Sequence, residues 1–270
     1  MKHNPGIGIT DELSLRVSVA TLVRVIFKHP LSGEWMLALE RKATLRGNKV
    51  EVKSQPFGGA IRILDVDAIH DLIGDFHFDS ERSRTEQDFR LFIRPSSWSL
   101  LREFCIQRLS RDNDPILETD PTRELTEEFE ETLNIALQPN QYELRSTGMA
   151  LEDTPAPTEN YYASTSPTVR VYRIFEAVIQ DPMLVSAMLE NSKGVSNQTL
   201  QEFALADKLK KRGNGWANAV LALPLKPLIE HYLSKPPQEL KGSLLFEIDL
   251  LDDTVMAILE EIPVPKYQRL

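Results

Sequence analysis

Cysteine is almost missing from this chain of 270 residues, with Cys105 the single copy. That excludes an internal disulfide framework and a cysteine-only zinc site, and a reducing, cytoplasmic setting is expected. The five histidines form no His-Glu-x-x-His pattern, so zinc hydrolysis lacks its ligands at the required spacing. No stretch approaches the roughly 20 apolar residues of a membrane span, and residues 1–11 lack the apolar core of a signal peptide. A soluble chain with no membrane partner is expected. Cations are outnumbered 31 to 40, for a net charge of -9, which argues against duplex nucleic acid as the main partner. Gly-x-Ser-x-Gly, the Gly-Lys-Ser/Thr phosphate loop and Gly-x-Gly-x-x-Gly are also absent. Hydrolase-fold, P-loop and Rossmann readings therefore lose their motif support.

What is there reads as a mixture of strands and helices. Residues 13–27 and 34–40 are strand-like and rich in Val, Leu and Ile, with a turn signal at Pro30 to Gly33 between them. A basic stretch, 41–53, then carries Arg41, Lys42, Arg46, Lys49 and Lys53 into the turn-forming run Gln55-Pro56-Phe57-Gly58-Gly59. Residues 65–86 read as helix and loop. Residues 88–94 alternate as a strand, and Pro95-Ser96-Ser97 starts a helix through Trp98, Leu101, Cys105 and Leu109. Asp120-Pro121 is a helix start, N-cap acid then proline, for a helix reaching about Ala136. Beyond it, 152–167 reads as a loop, 168–179 and 216–225 as strands, and 182–189, 198–211 and 227–234 as helices. The tail adds a strand over 244–248 and a helix over 253–262. The basic run Lys208, Lys210, Lys211 and Arg212 reads as a solvated helix end.

The helix after Asp120 carries the chemistry. At 100° per residue Glu124, Glu127, Glu128 and Glu131 lie at about 0°, -60°, +40° and -20°, on one face, with Leu125, Phe129 and Leu133 opposite. Like charges so spaced repel by a few tenths of a kcal/mol per pair. They become useful when a hard divalent cation, Mg²⁺ or Mn²⁺, sits on their oxygens.

Pro56-Phe57-Gly58-Gly59, followed later by Arg123-Glu124-Leu125-Thr126-Glu127-Glu128, resembles the signature of the Nudix hydrolases. The resemblance implies an α+β fold, a mixed sheet sandwiched between helices. It also implies metal ligation by the carboxylates of Glu124, Glu127 and Glu128 and the carbonyl of Gly58, with Arg123 orienting the glutamates. Gly59, Phe57 and the upstream Arg41, Arg46 and Lys53 are then candidates for holding the substrate. The sequence departs from the pattern at three places. An insertion, about 66–117, separates loop from helix. The loop acid is either Asp65, counted from Gly59, or Glu118, counted back from the helix. Glu130 stands where the family has glycine. The insertion makes the chain similar to the SMODS-associated Nudix group, which accompanies antiphage signalling genes.

The expected organisation is a Nudix-like domain over 1–235 and a C-terminal extension over 236–270 packed on that domain or on a second copy, giving a homodimer. The expected activity is Mg²⁺-dependent cleavage of a pyrophosphate linkage in a nucleoside triphosphate or a nucleoside diphosphate joined to another group. The rival expectation is a nucleotide-sensing module that signals to a partner protein.

Overall fold

The computed structural model describes residues 13–46, 49–158, 166–209, 216–225 and 268–269. The sequence folds as a mixed α+β chain around a twisted sheet. Its centre is β1 (Leu15–Lys28), an alternating strand whose Val17, Val19, Val23, Val25 and Phe27 are all fully buried. On one side β1 pairs in parallel with β7 (Pro167–Ile179), which pairs antiparallel with β6 (Tyr142–Pro157). On the other side three pieces share the edge of β1 in turn. Leu15 to Ser18 pair with β5 (Arg90–Ile93), and Val25 to Lys28 pair with β2 (Trp35–Arg46). The gap between them is closed by the glycine loop through bridges Val23–Phe57 and Ala20–Ala60. β2 also pairs with β3 (Lys49–Gln55) and β8 (Trp216–Pro224), and β6 pairs with β9 (Gln268–Arg269).

The insertion adds α1 (Val66–Ile73), β4 (His77–Phe78), α2 (Glu81–Glu86), β5 and α3 (Trp98–Leu109). It is not a separate body: Ile61, Ile69, Leu101, Cys105 and Leu117 share one core with Leu15, Val17 and Val19 of β1. A second core holds α4 (Thr122–Leu133) and α5 (Pro182–Gly194) on the same face of the sheet, through Leu125, Phe129, Val185 and Met188 against Val23, Phe57 and Phe175. On β2, Met36 and Ala38 belong to that core, whereas Ala43, of opposite parity along the strand, packs under α6 (Asn197–Leu209) with Leu200 and Ala204. Helices therefore cover both faces at that end of the sheet.

Most expected elements are present, with instructive shifts. The basic stretch 41–53 is a hairpin, the end of β2 and all of β3. α4 starts at Thr122, one residue later than expected, while Asp120 Oδ1 accepts the Thr122 N–H at 2.8 Å. It runs straight through Glu130 and ends at Leu133, where Asn134 adopts φ 56°. Glu130 therefore falls inside a helix, where glycine would weaken it. Replacing Asn134 by alanine should cost about 1 kcal/mol while glycine there is neutral or better, measured by urea denaturation, because only the left-handed backbone separates them. Residues 152–157, read as loop, belong to β6. The expected helix over 227–234, strand over 244–248 and helix over 253–262 lie outside the described residues.

Candidate functional site

The glycine loop lies flat against β1: Thr21 N–H donates to the Gly59 carbonyl at 2.9 Å and Val23 N–H to the Phe57 carbonyl at 2.7 Å. This close approach explains both glycines. Gly58 has φ 124°, and a Cβ there would overlap the Thr21 carbonyl. A Cβ on Gly59 would overlap the carboxylate of Glu124 instead. One glycine thus fits the loop to the sheet, and the next fits the helix to the loop. Phe57, between them and the preceding proline, is fully buried with its ring centroid 4.9 Å from that of Phe129. It pins loop to helix from the core side and does not reach the site, contrary to its expected role at the substrate.

Loop and helix enclose a cavity of about 310 Å³. The loop contributes Gly58, Gly59, Ala60 and Arg62, and α4 contributes Arg123, Glu124, Glu127, Glu128 and Glu131. β2 and β3 add Lys42 and Gln55. The insertion closes the opposite wall with Arg82, Glu86, Asp88 and Arg90, a contribution that the sequence reading did not anticipate.

Arg123 holds the acids in place. Its guanidinium pairs with Glu118 through Nε and Nη2 (2.9 and 2.6 Å), with Glu124 at 2.6 Å and with Glu127 at 3.2 Å. Of the two candidate acids, Glu118 is thus the one tied to the helix. Asp65 instead caps α1, accepting the Ala68 N–H at 3.0 Å on an exposed surface. Glu128 is buried and accepts the backbone N–H of Gly58. Its carboxyl is pushed well above the ordinary range by burial first and by the charge of Glu40 second. Glu124 is also raised, by burial, against the opposing pull of Arg123.

Glu40 is a further residue that the sequence reading does not flag. It is wholly buried on β2, and its two oxygens accept from Gln55 Nε2 at 2.7 Å and Asn218 Nδ2 at 2.6 Å, with Lys42 Nζ at 3.7 Å. Burial raises its carboxyl too. The available signal is an acid set in the apolar strand run Leu37-Ala38-Leu39-Glu40, where a charge is costly unless partnered.

The remaining expected substrate residues separate. Arg41 turns to the other side of the sheet, where Nη1 donates to Asn197 Oδ1 at 3.2 Å and Nη2 to the Val195 carbonyl, bracing the α5–α6 turn. Arg41→Ala should therefore lower stability by about 1–2 kcal/mol, which urea denaturation would check. Lys53 lies opposite Lys42 on β3 and outside the cavity lining. The side chain of Arg46 lies outside the described residues.

Among the described residues, no group of three or more His, Cys, Asp or Glu side chains is gathered as for a metal ion. The donors nevertheless suit a hard divalent cation: carboxylate oxygens of Glu124, Glu127 and Glu128 line one cavity, and two of the three are raised by burial, a shift that a cation would reverse. The Gly58 carbonyl accepts no hydrogen bond from the described residues, whereas that of Gly59 is taken by Thr21. No described helix is long and apolar enough to cross a membrane.

No family model and no curated protein matches the chain. Among solved structures, it is similar to the T. brucei MERS1-RNA complex at 10% identity and a TM-score of 0.25. The match covers 82% of this chain and spans 57% of that one. At that score the likeness says nothing of fold or function.

Proposed function

We propose that the chain is a Nudix-type hydrolase of phosphoanhydride bonds in nucleotides, dependent on Mg²⁺ or Mn²⁺. The observation that supports it is the convergence of Gly58-Gly59 and the Glu124, Glu127 and Glu128 face in one cavity, although more than sixty positions separate them in the sequence. A bound divalent ion would supply charge neutralisation on the phosphates and a more acidic water. Glu124, Glu127 and Glu128 would hold it. Arg123 keeps Glu118, Glu124 and Glu127 in register, and a carboxylate of that face, Glu124 or Glu127, would take the proton from the attacking water. Lys42 and the cavity arginines face the phosphates.

The reading is tested by chromatography of products after incubation with Mg²⁺ and a panel of nucleoside triphosphates, ADP-ribose, NAD and dinucleoside polyphosphates. Cleavage at a phosphoanhydride, lost with chelator, is expected. An intact panel would overturn the reading. Nucleotide binding without turnover would favour the sensing module. The antiphage setting and the homodimer stay within this proposal; a light-scattering mass of about twice 30.7 kDa would support the dimer.

A further inference from the structure

The wall opposite α4 sets Arg62, Arg82 and Arg90 beside Glu86 and Asp88, and its guanidinium groups are only partly engaged. Arg62 donates Nε to the Glu86 carbonyl at 3.2 Å and meets no carboxylate among the described residues. Arg82 uses Nε alone, on both Glu86 oxygens at 2.9 Å. Arg90 uses Nη1 alone, on Asp88 at 2.9 Å. Both Nη groups of Arg62 and Arg82, and Nη2 of Arg90, therefore keep donors for an acceptor inside the cavity. Guanidinium forks of this kind match phosphate oxygens two at a time.

The same cavity has no aromatic side chain among its described lining, and Ala60 is its one apolar side chain. At about 310 Å³ it is at the small end for ligand sites, which run from about 300 to 1,000 Å³. A phosphate chain fits such a space, but there is no surface on which to stack a base.

We propose that Arg62 and the insertion's Arg82 and Arg90 form a clamp for a phosphate distal to the one addressed by the carboxylate helix. The site then selects a chain of at least three phosphates and is indifferent to the nucleobase. This deepens the hydrolase reading and rests on it for the side of the cavity that performs chemistry. The insertion, on this view, is the specificity element: without α2 and β5 the cavity would lose two of the three clamp arginines.

The test is calorimetric titration of inorganic tripolyphosphate and of pyrophosphate, with Ca²⁺ present, into the full chain and its Arg62→Gln and Arg82→Gln variants. Arg82 is largely exposed and on a short surface helix, so its variant keeps the test valid if Arg62→Gln unfolds. Tripolyphosphate affinity should fall about tenfold or more in each variant, with pyrophosphate affected less than about threefold. ATP, GTP and inorganic tripolyphosphate should bind the unaltered chain within about threefold of one another. Equal tripolyphosphate affinity in all three proteins, or a strong preference for one base, would overturn the clamp. If arginine-dependent binding holds while no nucleotide is cleaved in Mg²⁺, the clamp stands and the hydrolase reading falls. If nucleotides are cleaved and the variants bind tripolyphosphate unchanged, the reverse follows.

Discussion

Glu128→Gln is expected to lower Mg²⁺-dependent turnover by about 10²–10⁴-fold while leaving the protein as stable as before or more so. The two effects separate because of where Glu128 sits. Its oxygen accepts the Gly58 N–H, a bond that a glutamine carbonyl can keep, so the loop remains docked. What the substitution removes is a charge in a buried place beside Glu40. A group whose folded pKa is raised contributes stability that is full below the ordinary carboxylate range and is lost as pH climbs through the raised folded value. Glu40, Glu124 and Asp88 are shifted the same way, by burial first. The metal-free protein should therefore lose stability from the acid range towards neutrality, and the Gln variant should lose less. Midpoints of thermal unfolding across that range, with turnover on the same preparations, decide it. A variant that cleaves nucleotides normally, or that is less stable than its parent at neutral pH, would sink the assignment.

The second large effect is a contrast between neighbours. Gly58→Ala should cost at least about 2 kcal/mol, since the new methyl group meets backbone on a rigid strand and the residue needs positive φ. Leu22 Cα, 3.1 Å from that Cβ position, leaves no direction of escape. Gly59→Ala meets only the carboxylate end of Glu124, which can swing aside, so its stability cost should stay near or below about 1 kcal/mol. Turnover should nevertheless fall about 10²-fold or more, because a displacement of an ångström in a positioned group is enough to do so. Denaturation midpoints and initial rates for both variants give the comparison. Equal losses of stability would show that the loop does not pack as described.

Legibility in the sequence follows from how local each feature is. The face of α4 was legible because helical periodicity alone places Glu124, Glu127 and Glu128 together. β1 and β7 were legible because they are long, apolar and regular. β6 was not: register shifts at Ser146/Gly148 and Glu152/Ala156 break the alternation, and its end is rich in proline. Nearness to the glycines in sequence points Phe57 and Arg41 at the substrate, but the loop's bridge to Val23 sets Phe57 in the core and strand alternation along β2 turns Arg41 to the far side of the sheet. Arg82 and Arg90 gave no signal, because long-range pairing, of β5 with β1 and of Asp88 with Arg62, carries the insertion back to the cavity. Counting along the chain does not separate Glu118 from Asp65; the bridge from Arg123 places Glu118 at the helix.

The central pairing also has a temporal meaning. Every glutamate of α4 and both loop glycines are synthesised before residue 134, yet β1 finds its parallel partner only at 167–179, and Glu40 reaches its amide partner Asn218 across 178 positions. A nascent chain released only as far as α4 carries the α4 glutamates and both glycines on a sheet whose central strand, β1, lacks its parallel neighbour. Contacts of such long range make folding slow and leave strand edges waiting for partners. The site is therefore completed late in translation, when β7 and β8 have emerged, and a chain truncated after α4 should be a client of chaperones.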